Sequence, residues 1–341
     1  MFDMHSLVDT ALKLPRVASA ARSARRFAQA PTVPERTDDK SQYDMRATMD
    51  LDPRMGKWLA RLAPVPNDPS AWQLADVHSS RFIDITEADA ALAGLRSDGF
   101  YVFHQTVEPA ITAAIRTFAE QAPCIARGAG TDPETYPRQT PAVGRYDFTE
   151  VTALACPEVQ EFATDPAMAF IAQRYLGRPV LMDEVAFWWT TTRRSEDANL
   201  NAQLFHQDRD RLSFLKFFIY LTDVTADTGP HVYIRGSHRR IPWSLRGDGR
   251  KTDEAVRTAG LWSDVTELTG PAGTIMAVDT IGLHKGKTPI GGDRLALENE
   301  FSTSLFGADY ERPRFTPTEL TRVRFEQMPY VLDRYRMSVT E

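Results

Sequence analysis

The rhythm of apolar and polar positions changes near residue 180. Before it, apolar residues recur at helical spacing. Thr86-Glu87-Ala88-Asp89 has the spacing of a capping box and predicts a helix carrying Leu92 and Leu95, stopped at Gly99. Phe100–Phe103 reads as a short strand. Pro109 at a first-turn position opens a helix over 109–122, and Asp165-Pro166 opens another that Gly177 closes. After Pro179 the runs are strand-like: Val180–Thr192, Ala202–Asp208, Leu215–Val224, Pro230–Ile234, Thr274–Thr280 and Arg294–Ser304. Turn signals at Asp227-Thr-Gly-Pro230, Arg235-Gly-Ser237, Gly270-Pro-Ala-Gly273 and Gly291-Gly292 separate them. Helices followed by strands, with no regular helical crossovers, predict a mainly β domain with flanking helices and exclude a doubly wound sheet.

The remaining segments frame that domain, placed at 86–310. Residues 1–50 read as a basic arm followed by a polar linker at 31–50, which holds two prolines and almost no apolar period. Residues 51–85 carry Trp58, Leu59, Leu62 and Trp72 among four prolines and predict irregular packing. Residues 239–272 are charged but include Trp243, Leu245, Leu261 and Trp262, the pattern of a long insertion able to act as a lid. Residues 311–341 form a C-terminal extension.

Composition narrows the class. The 341 residues are 42% hydrophobic and 25% charged, ordinary for a globular protein with a sizeable core. Two cysteines, Cys124 and Cys156, are too few for a disulfide scaffold and read as small buried residues. A net charge of −6 gives no global footprint for nucleic acid. No apolar run is long enough for a transmembrane helix, and no secretory apolar region or glycosylation sequon is present, which points to a cytoplasmic protein. Residues 10–30 contain Lys13, Arg16, Arg22, Arg25 and Arg26 and no acid. They read as a solvated or packed helical arm, with peripheral contact to an acidic membrane surface as the alternative. Oligomeric state is not legible.

Several catalytic motifs are missing. Gly282-Leu-His-Lys-Gly286-Lys287-Thr288 resembles a phosphate loop, but its glycines are one residue too close and Pro289 denies it a following helix. No nucleophile elbow or Cys-x-x-Cys pair occurs. What stands out is Leu204-Phe205-His206-Gln207-Asp208. In an extended chain, residues i and i+2 share a face, so His206 and Asp208 converge on one metal ion. Two histidines and a carboxylate on one octahedral face leave open positions, as in non-haem iron oxygenases. Candidates for the third ligand are His231, His238 and His284, of which His238 sits in a turn. His284 lies ten residues before Arg294, which opens a strand and offers a bidentate fork to a carboxylate. A co-substrate with one carboxylate at the metal and one at an arginine is what 2-oxoglutarate requires.

The stretches Ala202-Gln-Leu-Phe-His-Gln-Asp208, Leu215-Lys-Phe-Phe-Ile-Tyr-Leu-Thr-Asp223 and Gly229-Pro-His-Val-Tyr-Ile-Arg-Gly-Ser-His238 together closely resemble the phytanoyl-CoA dioxygenase-like family. The resemblance runs from about Asp98 to about Phe306. It implies a double-stranded β-helix, or jelly-roll, core and an Fe(II)- and 2-oxoglutarate-dependent dioxygenase that uses O2. It maps the metal and catalytic residues to His206, Asp208 and His284, and the co-substrate carboxylate to Arg294. Gln203 matches a position that contacts 2-oxoglutarate in some relatives. Many relatives carry a hydroxyl residue two positions after the distal histidine; Gly286 stands there, and Thr288 is the candidate to replace that hydrogen bond. Halogenating relatives lack the carboxylate kept here as Asp208, so oxygen insertion or desaturation is expected, with hydroxylation of an unactivated C–H bond first.

The expected partner is a small organic molecule. Its pocket is expected from 125–150 and 239–272, where Arg127, Arg138, Arg145, Trp243 and Trp262 suit an anionic or amphipathic substrate. Lys216 reads as an exposed or snorkelling residue. Phe187, Trp188 and Trp189 read as sheet packing, with one of them available to a pocket. The alternative reading is a jelly-roll module that binds a metal or small molecule without turnover.

Overall fold

Alternation along three central strands explains the architecture. The computed structural model describes residues 18–25, 37–62, 65–66, 69–130, 132–193, 202–247, 249–308 and 312–337. An eight-stranded antiparallel sheet takes the order β1-β9-β6-β11-β5-β4-β2-β3. Its strands are β1 (Phe100–Val102), β2 (Pro123–Ala126), β3 (Pro133–Thr135), β4 (Arg145–Phe148), β5 (Leu181–Thr190), β6 (Phe214–Tyr220), β9 (Ile275–Val278) and β11 (Arg294–Ser302). Opposite lies a three-stranded sheet, ordered β10-β7-β8, built from β7 (His231–Ile234), β8 (Val265–Leu268) and β10 (His284–Gly286).

The two faces of the large sheet have different neighbours. Val185, Phe187 and Trp189 of β5, Leu215, Phe217 and Ile219 of β6, and Leu295, Leu297 and Phe301 of β11 join the main core. That core is closed by helices Ala88–Ser97, Pro109–Gln121, Pro157–Ala163 and Pro166–Leu176. The alternate residues point inward, where Trp188, Phe218, Tyr220, Met276 and Ala296 pack with Tyr233 and Leu268 of the small sheet. Both faces are thus covered, giving the jelly-roll with flanking helices. Because both faces are buried, the strands read as near-continuous apolar runs. Charged residues on their inward face are the exceptions, and they build the site.

The helix signals after Pro109 hold. Pro109 sits in the first turn of its helix, and Asp165 caps its helix through the N–H groups of Ala167 and Met168. Gly177 closes that helix in the left-handed region at φ 70°. The capping box does not form. Asp84 instead accepts from the Thr86 N–H over a 3-10 turn, Ile85–Glu87, and the α-helix begins at Ala88. An aspartate two residues upstream takes that N–H instead.

Three segment expectations are corrected, while the basic arm is helical where it is described. Residues 39–49, expected within a polar linker, form helix Asp39–Met49, with Met45 and Met49 buried against Leu59, Leu212 and Phe214. Its buried face is partly small and polar (Ser41, Asp44, Thr48), so no apolar period marks it. Of the basic arm, residues 18–25 are helical, and Arg22 forks onto Asp44 of that helix at 2.9 and 3.1 Å. Lys13, Arg16 and Arg26 lie outside the described residues. Residues 202–208 are not a strand but a segment making isolated bridges, Phe205 to Lys251 and His206 to His284. Residues 239–272 are not wholly an insertion, since their end supplies β8, which pairs with β7. Among the described residues no helix is long and apolar enough to cross a membrane.

Candidate active site

One backbone bridge fixes two of the predicted residues. The His206 N–H donates to the His284 carbonyl at 2.9 Å and the His284 N–H to the His206 carbonyl at 3.0 Å. The imidazoles therefore stand side by side, ring centroids 4.3 Å apart. Asp208, two residues on, shares their face as the i, i+2 argument requires. Its Oδ1 is 3.6 Å from His206 Nε2 and its Oδ2 is 3.6 Å from His284 Nε2. One donor atom from each of the three lies within 4.8 Å of the others.

The tautomers are set from behind. His206 Nδ1–H donates to the Leu204 carbonyl at 2.9 Å, and His284 Nδ1–H to the Gly282 carbonyl at 3.0 Å. Both Nε2 lone pairs are left facing Asp208, the outer-sphere arrangement that orients imidazole ligands. Burial keeps both rings neutral, pushing His206 down to about 3 and lowering His284. For Asp208 burial acts upward, but Lys216, then His284 and His206, outweigh it and hold the carboxyl well below the usual range. Two neutral imidazoles and one ionised carboxylate are the protonation states that a divalent transition metal needs, so the donor set fits iron.

Lys216 corrects its expected exposure. It is 5% exposed and points inward from β6, with Nζ 3.2 Å from Asp208, 2.7 Å from Glu298 and 3.2 Å from Glu300. Glu184 of β5 brings a third glutamate, its donor atom within 4.8 Å of those of Glu298 and Glu300. Burial pushes Glu184 up to about 8, despite Lys216, and raises Glu298 and Glu300 likewise.

Arg294 lines the same cavity, of about 350 Å³. It is buried, donating through Nη1 to the Gly229 carbonyl and through Nη2 to Thr190 Oγ1 at 3.2 Å, while Nε has no partner among the described residues. Burial lowers its pKa to about 10, so the guanidinium stays charged near neutrality. Gly286 leaves room beside it: a Cβ there would meet Nη2 at 3.4 Å. Thr288 does not line the cavity, and Thr190, across the sheet, holds the guanidinium instead. Gln203 is buried with Nε2 unpartnered among the described residues, but its neighbour Ala202 is the one lining the cavity.

His231, another candidate for the third ligand, is not in the donor cluster; its ring stacks on His284 at 5.3 Å and 6° and lines the cavity. Of the aromatic triplet only Trp188 faces inward, with the Arg145 guanidinium 4.3 Å above its ring. Arg127 and Arg145 line the cavity as expected, yet both are tied to Asp147, at 2.6 and 2.7 Å. Arg138, Trp243 and Trp262 lie outside it; Arg250 comes from the 239–272 segment instead.

The family model described as phytanoyl-CoA dioxygenase (PhyH) matches residues 95–287, more than half of the chain. No curated protein sequence matches. Among solved structures, the epimerase SnoN, in complex with Fe3+, alpha-ketoglutarate and nogalamycin RO, is 19% identical at a TM-score of 0.45, covering 64% of this chain and 84% of its own. HygX from Streptomyces hygroscopicus, with nickel and 2-oxoglutarate bound, is 16% identical at 0.46, covering 66% and 89%. The alpha-ketoglutarate-dependent carbocyclase SnoK, from nogalamycin biosynthesis, is 20% identical at 0.43, covering 62% and 82%. On the family match, the chain belongs to the phytanoyl-CoA dioxygenase family of non-haem iron(II)- and 2-oxoglutarate-dependent oxygenases.

Proposed function

We propose that this enzyme hydroxylates an unactivated C–H bond of a small organic substrate at a centre held by His206, Asp208 and His284. The carrying observation is that the three donor groups converge in one cavity with Arg294, both Nδ1 atoms being tied to backbone carbonyls. Iron(II) bound there with 2-oxoglutarate and O2 supplies the oxidising chemistry, releasing succinate and CO2. The imidazoles offer fixed lone pairs. Lys216 holds Asp208 ionised and turned toward them. Arg294 presents its guanidinium to the far carboxylate of the co-substrate, with Thr190 and the Gly229 carbonyl fixing its plane. Trp188, Phe218 and Ala186 supply apolar wall that keeps water from the reacting carbon. Cys124 and Cys156 are free and buried, which suits a cytoplasmic enzyme.

The test needs no known substrate. The protein is incubated with iron(II), 2-oxoglutarate and 18O2, and succinate is weighed by mass spectrometry. One 18O atom in succinate is expected from wild type and none from His206→Ala or Asp208→Ala. Unlabelled succinate, or normal turnover in those variants, overturns the centre. Once a substrate is found, 18O in the organic product supports hydroxylation. A product lighter by two hydrogens and unlabelled contradicts it.

A further inference from the structure

A second cavity, of about 680 Å³, opens on the outside of the domain between helix Met55–Ala60 and the turn after β7. It shares no lining residue with the iron-site cavity. Its wall is strongly cationic in a chain whose net charge is −6. Arg54, Lys57, Arg61, Arg96 and Arg239 all line it, against one lining carboxylate, Asp52. That carboxylate is already taken by Arg54 at 2.9 Å. Lys57 is committed to the buried Asp279 below the floor, at 2.5 Å, with the Tyr175 hydroxyl donating to the same carboxylate at 2.6 Å. Arg239 donates only to a backbone carbonyl, that of Ser97, at 2.8 Å. Arg61 and Arg96 are exposed and make no ion pair among the described residues. Three guanidiniums therefore face one space without a countercharge.

One further observation, the exposed face of Trp58, points to a ligand. His238 lines the cavity at 3% exposure, its ring beside the Arg96 backbone. Trp58 stands on the rim with 49% of its surface exposed, a large flat apolar face beside the cationic wall. Guanidinium forks match phosphate oxygens, and an indole face stacks a planar body.

We propose that this cavity binds a phosphate-bearing small molecule with a planar group, the phosphate against Arg61, Arg96 and Arg239 and the planar body on Trp58. The site is independent of the iron-site reading. It does border the same chain segment: Asp279 leads into Thr280, whose carbonyl accepts the Asp208 N–H at 2.9 Å.

The test is calorimetry on the full chain with inorganic pyrophosphate, ADP and adenosine. Pyrophosphate and ADP are expected to bind, more weakly as salt rises, and adenosine is not. Arg61→Glu and Arg96→Glu should each weaken binding by about tenfold or more. Arg116→Glu, an exposed arginine on another helix, should leave it unchanged. Trp58→Ala should weaken ADP and spare pyrophosphate. No binding at millimolar concentration, or binding untouched by Arg61→Glu and Arg96→Glu, overturns the proposal. So does binding lost in Arg294→Ala, which would place the anion at the iron site. Co-sedimentation with phosphatidylglycerol vesicles but not phosphatidylcholine vesicles, abolished by Arg61→Glu and without soluble binding, would assign the phosphate to a lipid headgroup and overturn the small-molecule ligand.

Discussion

Replacing Lys216 with methionine tests the electrostatics beneath the proposed iron centre. Methionine nearly conserves the volume, so packing changes little. What goes is the one ammonium within 3.2 Å of Asp208, Glu298 and Glu300. Deleting one partner of a buried ion pair typically costs about 3–5 kcal/mol, because the other charge stays buried. Here two buried glutamates lose their cation together, so a loss of about 3 kcal/mol or more is expected at pH 7.5. The sign of the pH dependence follows from the glutamates. Burial already raises both, and loss of Lys216 raises them further. A carboxyl raised in the folded state costs nothing below its unfolded value and destabilises increasingly as pH climbs toward its folded value. The loss should therefore shrink to about 1 kcal/mol or less at pH 5, near the ordinary glutamate range. Denaturant unfolding of the metal-free protein at both pH values reads this directly. Adding Glu298→Gln to Lys216→Met should recover part of the stability at pH 7.5. An equal loss at both pH values, or no recovery in the double variant, would refute the ion-cluster reasoning and leave packing as the cause.

Three other outcomes follow from the same geometry. Arg294→Ala should raise the 2-oxoglutarate concentration for half-maximal succinate release by about 10- to 100-fold, the worth of a charge-assisted hydrogen bond, and leave iron affinity unchanged; an unchanged requirement contradicts the role given to Arg294. Glu184, pushed up to about 8 chiefly by burial, takes up a proton on folding between the unfolded glutamate range and that value, so wild-type stability falls as pH rises through this window. Glu184→Gln should flatten the fall, gaining on wild type at pH 9 and matching it at pH 4, and parallel stability curves would contradict this. Gly282→Ala should cost about 1–3 kcal/mol and weaken metal binding, because its Cβ would strike the Tyr233 hydroxyl and Ser237 Oγ while Gly282 holds His284 Nδ1; an unfolding midpoint like wild type speaks against it.

Much of the architecture was legible because covered strands advertise themselves. β5, β9 and β11 fall inside the apolar runs after Pro179, and β6 begins one residue before its run. The side-by-side placement of His206 and Asp208 needs only a locally extended chain, so it survived the absence of a regular strand at 202–208. Lys216 was misread because one lysine in an apolar strand has no visible partners. Those partners sit at 208, 298 and 300: the two glutamates meet it only through the pairing of β6 with β11, and Asp208 through its backbone bond to Thr280 after β9. Thr190 was missed for a related reason: it lies directly opposite Arg294 in the register of β5 and β11, a relation set by sheet closure. Helix Asp39–Met49 escaped notice because it buries serine, aspartate and threonine beside methionine, which no hydrophobic period reports.

The central claim is tested most directly by an anaerobic titration of metal-free protein, first with iron(II) and then with 2-oxoglutarate, followed in the visible range. The account predicts the charge-transfer band of a chelated iron(II)–2-oxoglutarate complex in wild type and its loss in Asp208→Ala. Iron binding without that band in wild type, or an undiminished band in Asp208→Ala, would contradict it.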